Sequence, residues 1–476
     1  MVSCLLYIRI QSYNMPKIAL FFFLLLSNNL LIAQTALVSG KVSQAESDSL
    51  FIGVNPNPLS AQEAQSKSRI NAQGEFSMAV PVQKATTADL VYEDETITLF
   101  LQPGDALDVR FNAANFLKSL KFKGQGANEN NFLVNFYLKF DENEDYQVLP
   151  ENIALHEKAF IEFLDLRKKD QSAFLERYTA KFPVSDVFKN YILSEIEYAW
   201  ANDRLTFADL RLKVKGSTIT LSPTYYHFLN QVKVNNPESI QSPVYFTFLK
   251  NYLRFQAVSQ NHRSTDPDFL QAVFNQAKEK LTGEMRNLLL AHTLFESIKY
   301  GSIQYTTRMF NEFESLNTDK DLNSFLAVQY DINKEFAMGS PAPNFKLKSA
   351  TGKEVALSSF RGKVVYLNFW SSKCPLCQLD LPYARELEKE MADKNVVFVN
   401  IGVDDEELWQ YAVKNRKLTG IQLFDENKDA LLQQYKVPSL PAYYLIDTDG
   451  TFIQTKAKRP SNDGVGADIL QALGKK

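Results

Sequence analysis

Cysteine and histidine are scarce in this sequence, and no basic stretch stands out. There are 3 cysteines and 4 histidines in 476 residues. The 52 lysines and arginines are balanced by 55 aspartates and glutamates, for a formal charge of -3. Nucleic-acid binding needs a basic stripe or patch, so we expect no nucleic-acid partner. The 45% hydrophobic and 12% aromatic residues are typical of a folded chain of several domains and exclude a disordered one.

The few metal-binding side chains argue against a metal site. His156, His227, His262 and His292 all lie in the middle of the chain, without a His or Cys at the spacing of metal ligands. A structural zinc ion needs four ligands, and neither Cys nor His follows Cys377. We therefore expect neither a metal nor another cofactor.

An apolar block near the amino end predicts a secretory signal peptide. Residues 18–26 read IALFFFLLL, Lys17 precedes them, and Ala33 stands at a position suited to cleavage. The block is about half the roughly 20 residues of a membrane span, and an uncleaved anchor that includes Leu30–Ile32 is the alternative. We expect residues 1–34 to be the leader, with translation starting at Met1 or Met15. The mature chain would then lie in the periplasm or cell envelope.

After such a leader only one close pair of cysteines remains, Cys374 and Cys377. Disulfides persist outside the cytosol, but a single close pair does not staple a chain of this length. The pair therefore predicts chemistry rather than a scaffold.

The first part of the mature chain has the pattern of strands and turns. Residues 35–128 carry short alternating runs separated by Gly, Pro, Asn and Asp, which predicts a small β-sandwich. Within it, Thr96–Leu101 and Ala106–Phe111 flank the turn QPGD. We expect these two runs to pair as antiparallel strands.

The pattern then changes twice. Residues 129–336 have helical spacing and several prolines, which predicts an all-α region. Residues 337–476 contain an apolar run of strand type followed by helical spacing, which predicts α/β structure. The clearest helical face in the middle region is formed by Phe188, Tyr191, Ile192 and Ile196.

The cysteine pair is predicted to lie at a strand-to-helix junction. Val364–Phe369 reads as a strand, and Leu379 and Tyr383 continue with helix spacing. A helix amino terminus presents free N–H groups and a partial positive charge, which favour a thiolate over a thiol. Cys374 is therefore the expected nucleophile, and Cys377, one helical turn later, the expected resolving thiol.

The string NFWSSKCPLCQLDLP resembles the active site of TlpA- and ResA-type thioredoxin-like thiol-disulfide oxidoreductases, whose pattern is FWAxWCxxCxxExP. The upstream SPAPNFKL and LSSFRGKVVYLNFW and the downstream YKVPSLPAYYLIDTDGTFI match the same family. The resemblance covers residues 337–476 and implies a thioredoxin-like fold there. The segment that closes with FKGQGANENNFL resembles the β domain that often precedes such modules in exported Bacteroidetes proteins.

The resemblance implies roles for five more residues. Pro441 is expected to be a cis proline that faces the dithiol, and the backbone beside it, at Leu440, is expected to pair with the substrate chain. Asp380 stands where the family has a glutamate that exchanges a proton in the resolving step, with a solvated carboxylate as the alternative. Trp370 matches a tryptophan that packs beside the site. Lys373 replaces another tryptophan, so it changes the substrate-facing surface and either favours the thiolate or extends into solvent.

These features together predict an exported thiol-disulfide oxidoreductase. Its Cys374–Cys377 pair would exchange with protein thiols and disulfides. The resemblance implies that it acts as a reductant and that a membrane electron-transfer partner supplies its electrons. A thiol peroxidase is less well supported, because Leu367 and Ser371 occupy the places of its conserved Pro and Thr. A third alternative is a binding or docking module of the cell envelope with a vestigial or secondary redox site, because about 300 residues precede the redox motif.

Overall fold

The computed structural model describes residues 35–55, 59 and 64–474. The signal peptide predicted for residues 1–34 lies outside these described residues. Within them, no helix is long and apolar enough to span a bilayer. The chain divides into two compact units, Met1–Tyr252 and Leu253–Lys476. The boundaries of three domains at residues 128 and 336 remain a prediction.

The first unit opens with eight strands in two four-stranded sheets. The strands are β1 (Thr35–Ser43), β2 (Ser49–Val54), β3 (Ala64–Arg69), β4 (Glu75–Pro81), β5 (Thr86–Tyr92), β6 (Glu95–Leu101), β7 (Ala106–Asn112) and β8 (Lys121–Gln125). The strand order is β4-β1-β7-β8 in one sheet and β3-β2-β5-β6 in the other.

Alternation of apolar and polar residues gives these sheets a buried face. In β4, Phe76, Met78 and Val80 are buried, whereas the residues between them are exposed. One apolar cluster takes side chains from both sheets, among them Ile52 of β2 and Val109 of β7. The two sheets therefore share a core.

The predicted pairing of β6 with β7 is wrong, although the turn between them is present. The Asp105 N–H donates to the Gln102 carbonyl at 3.1 Å, but the two strands belong to different sheets. The reason is that the turn docks on β1, where the Gly104 N–H donates to the Thr35 carbonyl at 2.9 Å. β7 therefore leaves the turn beside β1 and pairs with it in parallel.

Helices complete the first unit. They are α1 (Phe116–Ser119), α2 (Ala127–Phe136), α3 (Glu157–Thr179), α4 (Asp186–Lys215) and the first part of α5 (Pro243–Ser259). The Ser185 hydroxyl caps α4 by accepting the Phe188 N–H at 3.3 Å. The predicted face is confirmed, since Phe188, Tyr191, Ile192 and Ile196 are all buried.

The second unit joins further helices to a seven-stranded sheet. The helices after α5 are α6 (Phe269–Lys280), α7 (Gly283–Tyr300), α8 (Ile303–Leu316) and α9 (Lys320–Asn333). The strands are β9 (Lys346–Ser349), β10 (Glu354–Ala356), β11 (Val364–Trp370), β12 (Val396–Gly402), β13 (Ile421–Phe424), β14 (Ala442–Ile446) and β15 (Phe452–Gln454). The helices between and after these strands are α10 (Pro375–Glu390), α11 (Glu406–Asn415), α12 (Lys428–Gln434) and α13 (Val465–Leu473).

Strand β11 lies inside this sheet, whose order is β10-β9-β13-β12-β11-β14-β15. All of its residues are buried. Val365, Leu367 and Phe369 belong to one apolar cluster, whereas Val364 and Tyr366 belong to another. A strand covered on both faces reads as a continuous apolar run, and the predicted α/β structure of this region is confirmed. The carboxyl end of β11 leads directly to the cysteine pair.

Candidate active site

The cysteine pair lies at the amino end of α10, as predicted. Cys374 is the N-cap residue of this helix and Pro375 is its first residue. A disulfide joins Cys374 to Cys377, with their Cα atoms 5.2 Å apart. The Cys377 N–H donates to the Cys374 sulfur at 3.1 Å. Cys377 is buried and Cys374 is half-buried, so the first sulfur is the more accessible one.

The loop between β11 and the first cysteine is fixed by a carboxylate that the sequence did not reveal. The Ser371 hydroxyl donates to Asp404 at 2.6 Å, and the Ser372 N–H donates to the other oxygen of the same carboxylate. The Ser372 carbonyl accepts from Gln378 at 2.9 Å and from Arg416 at 3.0 Å. Asp404 lies two residues after the end of β12. Because β12 is parallel to β11, Asp404 and the loop that follows β11 lie at the same edge of the sheet.

Lys373 lies at the rim of the site and points toward α11. Its ammonium is 3.5 Å from the carboxylate of Asp405, and both side chains are 69% exposed. Exposed ion pairs are weak. Lys373 therefore forms a solvent-exposed ion pair with Asp405.

Trp370 shares an apolar cluster with Cys377, and the resemblance implies a tryptophan beside the site. It forms a cluster with Cys377, Trp409 and Ala412, and Leu440 packs against that cluster. Trp409 lies on α11 and was missed from the sequence, where it is one apolar residue in an ordinary amphipathic pattern. The site therefore has an aromatic wall of two indoles.

The Leu440–Pro441 peptide bond is cis, which confirms the expectation drawn from the resemblance. Strand β14 begins directly after it and pairs antiparallel with β11. Leu440, the first residue of the cis peptide, packs against the apolar cluster that contains Cys377, and so does Cys374. Trp370 and Leu440 are thus brought together beside the cysteine pair.

Asp380 is 1% exposed and has four hydrogen-bond donors around its carboxylate. Arg459 donates through Nε to Oδ2 at 2.9 Å and through Nη2 to Oδ1 at 2.8 Å. The Tyr443 hydroxyl donates to Oδ2 at 3.0 Å, and the Ser461 hydroxyl donates to Oδ1 at 2.8 Å. The solvated alternative for Asp380 is therefore wrong, because three neighbours enclose it. Arg459 also donates to the Leu376 carbonyl at 3.2 Å.

The electrostatics of this cluster follow from burial and pairing. Burial, together with the neighbouring Asp380, raises the pKa of the Tyr443 hydroxyl far above its ordinary value, so this hydroxyl keeps its proton. The hydrogen bond to Asp380 raises the pKa of the Arg459 guanidinium further. Sequence reasoning missed Arg459 and Ser461, which follow β15 in a stretch without periodicity or a recognised motif.

A small cavity lies beside Cys377. It measures about 30 Å³, and Cys377, Asp380, Asn368 and Gln422 contribute to its wall. That is enough room for one or two water molecules. Within the described residues, Asn368 Oδ1 and Gln422 Oε1 have no protein hydrogen-bond partner. The described part of the chain contains no group of three or more His, Cys, Asp and Glu side chains that could hold a metal ion.

Known proteins resemble the part of the chain that carries this site. The Redoxin family matches residues 337–469. The thiol-disulfide oxidoreductase ResA of Bacillus cereus is 33% identical over 139 residues, which are 27% of this chain and 76% of the relative. ResA of Geobacillus kaustophilus is 34% identical over 131 residues, which are 26% of this chain and 75% of the relative.

Solved structures cover the same part. The thioredoxin domain of a thiol-disulfide oxidoreductase from Bacteroides vulgatus is 26% identical, with a TM-score of 0.27, and the match covers 29% of this chain and 99% of that one. A thiol-disulfide oxidoreductase from Bacteroides fragilis is 26% identical, with a TM-score of 0.25, over 28% of this chain and 98% of that one.

The match to ResA and the site geometry concern the same residues. The ResA proteins are matched over about three quarters of their length at about one third identity, and the cysteine pair lies inside the matched region. This chain belongs to the ResA/TlpA-like thiol-disulfide oxidoreductases, enzymes of the thioredoxin fold that act on protein thiols and disulfides.

Proposed function

We propose that Cys374 and Cys377 are the redox centre, with Cys374 as the nucleophile and Cys377 as the resolving thiol. The observation that carries this assignment is the placement of Cys374 as the N-cap of α10, where the Cys377 N–H donates to its sulfur. Such an N–H stabilises a thiolate. The greater exposure of Cys374 makes it the sulfur that a protein substrate can reach.

In the reducing direction, the Cys374 thiolate attacks one sulfur of a substrate disulfide. A bond forms between Cys374 and that sulfur, and the substrate disulfide breaks to release one substrate thiolate. Cys377 then loses its proton and attacks the Cys374 sulfur, which forms the intramolecular disulfide and releases the second substrate thiolate. Two electrons pass from the cysteine pair to the substrate, while solvent takes up the Cys377 proton and supplies the protons that the two released substrate thiolates bind. A dithiol donor must reduce the Cys374–Cys377 disulfide before the next cycle.

The substrate-facing surface is proposed to comprise Trp370, Lys373, Leu440 and Pro441. Support comes from the shared cluster of Trp370, Leu440 and the two cysteines. Peroxide reduction has less support, because Leu367 is completely buried in β11 and the Ser371 hydroxyl donates to Asp404.

The direction and the location are further parts of this proposal. We propose that the protein acts as a reductant in the periplasm or cell envelope, and that a membrane electron-transfer partner reduces it. The apolar block at residues 18–26 supports export. The two N-terminal sheets that share one core support a β-sandwich for residues 35–128, followed by a helical domain to residue 336 and the thioredoxin-like domain from residue 337.

The test is the reduction potential of the Cys374–Cys377 couple in the chain without its leader. The protein is equilibrated in glutathione and dithiothreitol buffers, and its free thiols are counted by alkylation and mass spectrometry. A value near about -270 mV would support a reductant, and one near about -120 mV would mark an oxidant. A pair that forms no reversible disulfide would end the exchange proposal and favour the docking module, whose partner binding should survive Cys374→Ser and Cys377→Ser.

A further inference from the structure

The acceptor positions of the Asp380 carboxylate are all occupied. An ionised carboxylate has about four acceptor positions, two on each oxygen. Arg459 Nε and the Tyr443 hydroxyl occupy Oδ2, and Arg459 Nη2 and the Ser461 hydroxyl occupy Oδ1. The carboxylate is 1% exposed, so these four bonds are made away from bulk solvent. Leaving a buried donor unpaired is costly, so the geometry favours Asp380 as a fixed acceptor for Arg459.

The arginine that binds this carboxylate also reaches the dithiol. Arg459 Nη2 donates to the carbonyl of Leu376, one of the two residues between the cysteines. That carbonyl and the N–H of Cys377 belong to one peptide group. The same N–H donates to the Cys374 sulfur at 3.1 Å. A continuous chain of hydrogen bonds therefore runs from the guanidinium through one peptide to the nucleophile.

The backbone that carries Arg459 is itself fixed. The Tyr366 hydroxyl donates to the Lys458 carbonyl at 2.6 Å, and the Ala457 N–H donates to the Tyr443 carbonyl at 2.8 Å. Tyr366 lies on β11 and Tyr443 on β14. Both anchors belong to the central sheet, so the guanidinium has a defined position relative to the first turn of α10.

We propose that Arg459 is a positioning residue for the nucleophile, which acts on the Cys374 sulfur through the peptide group between Leu376 and Cys377, while Asp380 holds the guanidinium and keeps its four hydrogen bonds throughout exchange. A donor on the carbonyl polarises the peptide and strengthens its N–H as a donor. Hydrogen bonds to an ionised acceptor are about twice as strong as neutral ones. Arg459 therefore stabilises the Cys374 thiolate more than it stabilises the neutral thiol or the disulfide. This inference rests on the proposed exchange at the dithiol.

The test measures the pKa of Cys374 from the pH dependence of its alkylation by iodoacetamide. The background is the full chain with Cys377→Ser, which keeps the backbone N–H at this position. We expect the Asp380→Asn/Arg459→Met double variant to raise the Cys374 pKa by about 0.5 to 1 unit, which slows alkylation about threefold to tenfold at acidic pH. The double variant avoids a buried unpaired carboxylate. An unchanged Cys374 pKa in this variant, with an unchanged thermal midpoint, would overturn the proposal.

Two further variants separate position from charge. Arg459→Lys keeps the positive charge but lacks the planar fork that contacts both Asp380 and the Leu376 carbonyl. We therefore expect it to retain less than half of the alkylation rate that the Asp380→Asn/Arg459→Met variant loses. Full recovery by lysine would show that charge alone matters. Lys458→Met is the matched control, because it removes a neighbouring cation whose contact is with Asp468 at 3.1 Å. It should leave the alkylation rate within about twofold.

The single variant Asp380→Asn tests whether Asp380 exchanges a proton in the resolving step. Asparagine keeps an acceptor for Arg459, so we expect alkylation of Cys374 to slow by less than about threefold. In the chain with both cysteines, the pH profile of the resolving step should keep its shape. Loss of one ionisation from that profile would assign the proton to Asp380 and overturn this part of the inference. If the unsubstituted chain reduces no disulfide at all, the proposed function fails before these comparisons are reached.

Discussion

Two buried aspartates hold the chain before and after the dithiol, and they do so with different partners. Asp404 holds the loop before Cys374 through two neutral donors, the Ser371 hydroxyl and the Ser372 N–H. Asp380 lies one turn after the pair and holds a cation, Arg459. The first carboxylate thus fixes a backbone, whereas the second also fixes a positive charge. A redox site needs both, because the nucleophile must be placed and its ionised form must be stabilised.

The largest expected effect comes from removing the sulfur that both carboxylates support. Cys374→Ser should lower the rate of insulin disulfide reduction by about a thousandfold or more, because no nucleophile remains. Cys377→Ser should keep the first step and accumulate a mixed disulfide with the substrate, which intact-mass spectrometry detects. Turnover by Cys374→Ser, or a mixed disulfide formed at residue 377 in that variant, would reverse the assigned roles.

The next-largest effect is on the free energy of unfolding, and it compares the carboxylates of Asp380 and Asp404. Asp380→Ala leaves the Tyr443 hydroxyl and the partly exposed Arg459 guanidinium without their acceptor, for a loss of about 2 to 4 kcal/mol. Asp404→Ala leaves a backbone N–H and a hydroxyl unpaired, for about 1 to 2 kcal/mol. Urea unfolding followed by tryptophan fluorescence measures both, since Trp370 and Trp409 lie at the site. Equal losses, or a larger loss at Asp404, would show that the paired charge adds no stability.

The sequence anticipates the position of Asp380 but misses its partner Arg459. The cysteine pair and Trp370 lie in one short motif, because the chemistry constrains residues that are close in sequence. The cis Pro441 lies far along the chain in a second segment that the family resemblance identifies. Asp380 lies within the cysteine motif, and the resemblance identifies its position. Its partner Arg459 lies 79 residues further on. Nothing local marks this arginine, since only the tertiary fold brings the segment after β15 beside the first turn of α10.

The fold shows the same limit of sequence reasoning. Strands, helices and their buried faces follow from periodicity, as for β4 and α4. The partners of β6 and β7 do not, because the choice of sheet depends on the docking of the Gln102–Asp105 turn against the start of β1. Local pattern defines an element, whereas long-range hydrogen bonds decide which elements meet.

A carboxylate of the first unit extends the comparison to a group that forms no ion pair with the residues described in the structure. Glu195 accepts from the Ser242 hydroxyl and the Val244 N–H, and burial raises its pKa from 4.5 to about 7. The folded state binds this proton more tightly than the unfolded state. The contribution of Glu195 to the free energy of unfolding is therefore fully present below about pH 4.5 and is lost as pH rises to about 7. At 1.36 kcal/mol per unit the loss is about 3 kcal/mol.

Glu195→Gln removes this titration while it keeps the side-chain shape. We expect the variant to lose less stability than the parent between pH 5 and pH 8, as judged by far-ultraviolet circular dichroism in urea. Ser242→Ala is the contrast, because it removes a hydrogen bond that lowers the pKa of Glu195 and should steepen the pH dependence. Parallel pH profiles for Glu195→Gln and the parent would show that Glu195 is ionised in the folded protein at pH 5.

The smallest expected effect concerns the cation closest to the nucleophile in sequence. Lys373 is adjacent to Cys374, but its ammonium faces Asp405 and both side chains are largely exposed. Solvent screens such a pair, so Lys373→Ala should change the free energy of unfolding by less than about 0.5 kcal/mol. It should also shift the Cys374 pKa less than the Asp380→Asn/Arg459→Met variant does. A larger shift from Lys373→Ala, measured by the same alkylation profile, would mean that proximity in sequence outweighs the hydrogen-bonded path from Arg459.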